Sequence, residues 1–252
     1  MIALRSITFN LVFFTWTGAL LTIGLPLLLM PAGAIYAVGY LWVRISLALL
    51  AGIVGLRYEF RGRPPAPGER VILAVKHQSA IDTMVFNLVI DRPAFVLKRE
   101  LFFVPLFGWY LWRCRMIAID RASGAKAILS MVRQAQQALA RGQTLLIFPE
   151  GTRRAPDAPP QYQPGVAALY GRLGLPVMPV ALNTGVFWGR RSFLKRPGRM
   201  VIEFLEPIPP GLDRTAFMAM LQERIETASQ RLRAEALEAV DKSVDNTSAG
   251  AH

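Results

Sequence analysis

The sequence predicts an α/β fold: a layered domain with a central mixed sheet flanked by helices, preceded by an N-terminal two-helix membrane motif. Three observations carry this. Charge is nearly absent from one end, since residues 1–56 hold only Arg5 and Arg44. Beyond them, short β-rich runs alternate with helical stretches, the pattern of helices packed on a sheet. The length, 252 residues, suffices for one domain of about 200 residues and a short appendage.

The N-terminal motif comes first. Ile7 to Met30 and Ala34 to Leu56 are nearly continuous apolar runs, separated by Pro31 and Gly33. Each is long enough to cross a bilayer, and the tight turn makes them a hairpin with both ends on one side. Arg57, Arg61 and Arg63 follow at once, which places that side in the cytoplasm. A central Arg44 costs about 2.5–3.5 kcal/mol on insertion scales. That favours a shallow hairpin in one leaflet, with Arg44 reaching the headgroups, over a spanning one. Ala32-Gly33-Ala34 looks like a signal-cleavage site, but the apolar core before it is too long and a second apolar run follows.

The domain proper runs from 57 to 240. Its strand candidates are Tyr58–Arg61, Val71–Lys76, Ala94–Leu97, Met116–Ile119, Thr144–Phe148, Val177–Leu182 and Val201–Leu205. Its helix candidates are Ala80–Ile90, Leu101–Leu111, Gly124–Arg141, Val166–Leu173 and Arg214–Val240. Pro64 to Gly68 forms a turn, and Asp157 to Pro160 a loop insertion. Residues 241–252 are small and polar, and a disordered tail is expected there. Pro179 inside an apolar strand implies an edge or a bulge.

Composition narrows the function classes. Charged residues make up 18% of the chain, against about 25% in a soluble domain, and the deficit sits in the hairpin. The net charge of +12 would suit nucleic acid, an anionic membrane or acidic substrates. No zinc-finger spacing, helix-turn-helix signature or RNP-type motif is present, which disfavours nucleic acid. Cys114 is the sole cysteine, so no intrachain disulfide can form, in keeping with a reducing cytosol.

Of the two histidines, His252 ends the chain and His77 follows the apolar run Val71–Val75. A general base working near neutral pH would therefore be His77. Asp82 falls five residues on, where it can turn back to accept the Nδ1 proton and leave Nε2 for a substrate hydroxyl, the logic of a dyad. Ser79-x-x-Asp82 is equally an ordinary capping box. No metal-ligand cluster and no G-x-S-x-G elbow accompany them. A second motif, Phe148-Pro149-Glu150-Gly151-Thr152-Arg153, follows a strand. It offers a hydroxyl, backbone N–H groups and a guanidinium, suitable for a phosphate and a polyol. Lys98 and Arg121 also follow strands, where an α/β sheet presents ligand groups.

These segments closely resemble the 1-acyl-sn-glycerol-3-phosphate acyltransferase family, the lysophosphatidate acyltransferases. Four blocks stand in the family's order: His77-x4-Asp82, the segment ending at Arg121, Phe148 to Arg153, and Val177-Met178-Pro179-Val180. The resemblance implies His77 as general base and Asp82 as its orienting partner. It implies Lys98, Arg121 and Arg153 on the acceptor phosphate, Glu150, Gly151 and Thr152 on the glycerol-phosphate, and Pro179 on the acyl-donor side. It further implies transfer from acyl-CoA or acyl-carrier-protein to the sn-2 hydroxyl of lysophosphatidate, giving phosphatidate. Neither cofactor nor metal is implied, and the setting would be the cytoplasmic face of the inner membrane. The thioester's thiolate leaves readily, so no acyl-enzyme is expected. The basic stretch Arg190, Arg191, Lys195, Arg196 and Arg199 suits headgroups, coenzyme A phosphates or an acidic carrier protein, or is simply an exposed loop. Two positions depart from the common pattern: Lys76 replaces an Asn and Arg154 a Ser. Both add positive charge, which bears on the acceptor headgroup. A different acceptor, such as lyso-ornithine lipid, and a non-catalytic anionic-lipid-binding membrane protein are the alternatives. The oligomeric state is left open.

Overall fold

Alternation along the strands splits their side chains between two cores. The computed structural model describes residues 1–249, with side chains to Val240. The strands are β1 (Leu56–Arg61), β2 (Ile72–Val75), β3 (Pro93–Lys98), β4 (Ile117–Ile119), β5 (Thr144–Ile147), β6 (Val177–Leu182) and β7 (Gly198–Phe204). They form one seven-stranded sheet in the order β1-β7-β6-β2-β5-β3-β4. Every neighbouring pair is parallel except β6 and β7, so the sheet is mixed, as expected.

On one face, Ile72, Ala74, Leu145, Ile147 and Val177 pack against α4 (Gly124–Ala140), α5 (Gly165–Leu173) and the first half of α7 (Arg214–Ala249). On the other, Leu73, Val75, Leu146, Met178 and Val180 share a core with Phe9, Phe13, Val43 and Leu47 of the N-terminal helices. Burial on both faces explains why β2 and β6 read as unbroken apolar runs.

The hairpin consists of α1 (Ile2–Ile23), a 3-10 turn over Leu25–Leu29 and α2 (Ala32–Leu49), which ends in a π turn at Leu50–Val54. Both helical arms are long and apolar enough to cross a membrane. Trp42 Nε1 donates to Thr17 Oγ1 at 3.0 Å and joins them. Of α1, only Ser6, Phe9 and Phe13 are buried. Lys195 clamps this helix to the domain: its backbone N–H donates to Ser6 Oγ, and its ammonium donates to Asn10 Oδ1 and lies 4.7 Å from the Trp188 ring.

Three expectations are corrected and one is narrowed. Ala80–Ile90 is not one helix but two 3-10 turns, Ile81–Thr83 and Val85–Leu88. The β-branched Ile81, Thr83, Val85 and Val89 disfavour a helix there. Leu101–Leu111 is broken at Pro105 into a 3-10 turn, Arg99–Phe103, and α3 (Phe107–Arg113). The C-terminal helix continues past Val240 to Ala249, since no glycine or proline precedes Gly250 to stop it; residues 250–252 of the expected tail lie outside the described ones. Of the two alternatives for Pro179, the edge is excluded, because β6 lies between β2 and β7, and the bulge remains, because the β7 side carries one extra residue between the Val180–Phe204 and Val177–Ile208 pairings. Its missing N–H falls where the β7 ladder breaks off: Leu205 N–H bonds Pro179 O, and the next pairing is the Val177–Ile208 bridge. The short α6 (Thr184–Phe187) has no counterpart in the sequence reading.

Candidate active site

Five parallel strands, β6, β2, β5, β3 and β4, end at one edge of the sheet. The residues at or just beyond their ends are Thr184, His77, Pro149 to Arg153, Lys98 and Arg121. The chain returns to this edge five times, so groups far apart in sequence meet there.

Asp82 does turn back from its 3-10 turn, and its carboxylate is fully buried. Its Oδ2 accepts the backbone N–H groups of Gln78 at 2.7 Å and Ser79 at 2.8 Å, and lies 3.0 Å from His77 Nδ1. Its Oδ1 accepts Thr184 Oγ1 at 2.7 Å. A carboxylate held by four partners fixes both its own position and the imidazole. With Nδ1–H turned to Asp82, Nε2 is the ring nitrogen available to a ligand. The His77 ring also stacks on Phe148, with centroids 3.9 Å apart.

His77, Lys98, Arg121, Gly151, Thr152 and Arg153 all line one open cavity of about 530 Å³. Burial holds the guanidinium of Arg153 below its ordinary pKa; the neighbouring Asp82 opposes that shift and Arg190 reinforces it. Burial lowers Arg121 likewise, and its Nη2 donates to the carbonyl of Gly151. Gly151 has φ +68°, a conformation that calls for glycine, and a Cβ there would crowd the Arg121 guanidinium at 3.2 Å. Arg190 and Arg191 complete the cationic wall. A second cavity of about 300 Å³ lies between the hairpin and the domain, lined by apolar groups such as Leu20, Leu27, Ile35 and Trp42. The two cavities share Thr83, Leu97, Leu101 and Arg153.

Two sequence candidates lie elsewhere. Pro179 is buried in the sheet and lines neither cavity. Glu150 is buried beneath the site: Oε2 accepts the His77 backbone N–H at 3.0 Å, and Oε1 takes a hydrogen bond from Lys76 Nζ at 2.9 Å. Burial raises the Glu150 pKa, and Lys76 opposes that rise. Glu150 thus reaches the cavity only through the backbone of His77.

The two departures from the common pattern also resolve differently from the expectation. Lys76 adds no free charge, because its ammonium is buried between Glu150 and Glu226 of α7. Arg154 turns away to Gln161 and the Pro159 carbonyl, while its backbone N–H holds His77 O at 2.8 Å. Thr184 and Glu226 were not singled out in the sequence. Thr184 had a signal, as a hydroxyl just past a strand. Glu226 had none, since a glutamate on a long amphipathic helix reads as solvent-facing.

A family model described as Acyltransferase matches residues 57–183. A 1-acyl-sn-glycerol-3-phosphate acyltransferase of Pseudomonas aeruginosa is 37% identical over 161 residues, covering 64% of this chain and 63% of that protein. The alpha form of an enzyme of that name from Bos taurus is 26% identical over 170 residues, covering 66% of this chain and 59% of the relative. The chain thus spans less than two thirds of the length of either. The solved structure of 1-acyl-sn-glycerophosphate acyltransferase PlsC from Thermotoga maritima superposes with a TM-score of 0.75 at 20% identity, over 93% of this chain and 98% of that one. That likeness is one of fold.

Proposed function

The chain belongs to the acyltransferase family, and from that premise we propose that it transfers a fatty acyl group from a thioester, acyl-CoA or acyl-carrier-protein, to the sn-2 hydroxyl of lysophosphatidate, giving phosphatidate. The observation that carries the proposal is the buried His77–Asp82 pair opening into a cavity walled by Lys98, Arg121 and Arg153. A phosphomonoester meets the guanidinium of Arg153, which sits over the same cavity as the imidazole. Nε2 then removes the proton as the sn-2 oxygen attacks the thioester carbonyl, a step worth about 10²–10⁴ in rate. The resulting tetrahedral oxyanion collapses with loss of thiolate. The nucleophile is the acceptor's own hydroxyl, so no acyl-enzyme forms and no cofactor enters. The adjoining apolar cavity suits an acyl chain.

In this reading the hairpin lies in the cytoplasmic leaflet of the inner membrane. Its helices share a core with the sheet, and its turn is bonded to α3. Such docking favours a shallow seat, from which an amphipathic acceptor reaches the cavity laterally.

The deciding experiment offers the purified chain an acyl thioester with lysophosphatidate, lyso-ornithine lipid or lysophosphatidylcholine, and follows thiol release. Release should depend on lysophosphatidate and vanish in His77→Ala. Equal rates with all three acceptors, or wild-type turnover by the variant, would overturn the assignment.

A further inference from the structure

Between Arg99 and Arg113, several bulky apolar side chains that line neither of the two cavities turn to solvent. Phe103 is 71% exposed and Trp112 is 73% exposed, with Trp109 and Val104 beside them. Trp109 and Trp112 stand three residues apart on one face of α3. With Phe102, Phe103 and Leu28 they line a shallow groove. Contiguous exposed aromatics on a folded surface mark a contact site.

This face is continuous with the hairpin turn. Tyr110 Oη donates to Leu21 O at 2.9 Å, and Arg113 donates from Nε to Leu28 O at 3.0 Å and from Nη2 to Met30 O. At that turn Leu29 is 90% exposed, next to an exposed Met30. The border is cationic: Arg99 lies over the Phe103 ring at 5.9 Å, and exposed Arg115 follows α3. The same segment reaches the candidate site, because Leu101, two residues before Phe103, lines both cavities.

We propose that the Phe103–Trp109–Trp112 face is a second bilayer-contact surface, seated at headgroup level beside the hairpin turn, which holds the mouth of the His77 cavity against the lipid. Indole rings favour that level because one edge is apolar and the other carries a polar N–H. Bordering arginines meet anionic headgroups, consistent with a net charge of +12. Continuity with the apolar turn favours lipid over a protein partner. That this surface serves the site rests on the functional reading above; that it contacts lipid does not.

The test uses the full chain reconstituted in phosphatidylcholine–phosphatidylglycerol vesicles whose acyl chains carry bromine near the headgroup or near the bilayer centre. The emission lost in Trp109→Phe/Trp112→Phe, relative to wild type, should be quenched more strongly by the shallow bromines. No quenching by either lipid, or shielding of the two rings by a cross-linkable dimer, would overturn the surface. In parallel, Trp109→Ser/Trp112→Ser should slow turnover of a vesicle-embedded acceptor about tenfold. Turnover of a short-chain soluble acceptor should stay within about twofold. Equal losses on both acceptors would overturn the claim that the face serves the site. Absence of thiol release by the wild type would instead sink the functional reading and leave the quenching to decide the surface.

Discussion

The ammonium of Lys76 lies 2.8 Å from Oε1 of Glu226, a residue 150 positions further along the chain. The same nitrogen bonds Glu150, whose other oxygen holds the backbone of His77. Tyr162 Oη adds a hydrogen bond to Glu226 at 2.9 Å. The C-terminal helix is thereby wired to the imidazole through one buried lysine.

Breaking this link should cost stability first. Losing one member of a buried ion pair costs about 3–5 kcal/mol. Glu226→Ala should fall at the low end, because Glu150 still neutralises Lys76. Lys76→Met should fall at the high end, because it leaves two facing carboxylates uncompensated. Lys76→Met/Glu226→Ala removes one of the two carboxylates but still leaves buried Glu150 without its cation, so it should recover only part of the Lys76→Met loss. Denaturant unfolding of the four proteins checks this, and simple additivity of the two single losses would show the pair to be uncoupled.

The carboxylate of Asp82 should matter through its geometry. Asp82→Asn preserves shape, and the backbone N–H groups of Gln78 and Ser79 hold its carbonyl oxygen at the Oδ2 position, so Nδ1–H keeps an acceptor but the imidazolium loses its counter-charge. Turnover should drop by as much as the general base contributes, about 10²–10⁴-fold, while acceptor KM changes little. Thr184→Val strips one hydrogen bond from Oδ1 and leaves a buried acceptor short of a partner, a cost of about 1–3 kcal/mol. Its turnover should fall far less than in Asp82→Asn. Steady-state kinetics together with thermal unfolding separates the two effects.

The sheet was legible in the sequence because its central strands are apolar and bounded by glycine and proline. All seven strand candidates overlap real strands, and the hairpin lies where its two apolar runs put it. The site's cationic wall was legible too, since strand ends are readable once strands are. What the sequence hid was direction. Glu150 sits in the same motif as Thr152 yet points down to Lys76 rather than into the cavity, and Pro179 is walled inside the sheet. A motif lists neighbours along the chain but not which face of the loop each side chain takes. Lys76 looked like surplus positive charge until the coordinates supplied Glu226.

Arg153 should discriminate between substrates. It lines the cavity beside the imidazole, and only the acceptor brings a phosphomonoester to that position in the proposed mechanism. Charge-assisted hydrogen bonds are worth about 1.5–3 kcal/mol, so Arg153→Ala should raise acceptor KM about 10- to 150-fold. Donor KM should stay nearly constant. Arg153→Lys should recover part of the loss, since it restores charge without the planar fork. Equal shifts in both KM values would move the residue from the acceptor to shared architecture.

The far edge of the sheet supplies a pH-dependent prediction. Arg61 on β1 bonds Glu59 at 2.7 Å and Glu235 of α7 at 2.6 Å, and Arg231 joins Glu235 to Glu203 on β7. Hydrogen bonds from Arg61 and Arg199 hold Glu59 below the usual carboxylate range, and those from Arg61 and Arg231 do the same for Glu235. A carboxyl group whose folded pKa is depressed binds protons more readily when unfolded. Its stabilisation is therefore complete above the unfolded value, 4.5, and disappears as pH falls through the lower folded value. Melting temperature should accordingly drop on acidification below that point. Arg61→Ala should flatten this acid limb, because both carboxylates lose the hydrogen bond from Arg61 that does most to hold them ionised. The groups are partly exposed, so added salt should flatten it in the wild type as well. An unchanged acid limb in Arg61→Ala would mean that the clamp between α7 and the β1–β7 edge rests on packing alone.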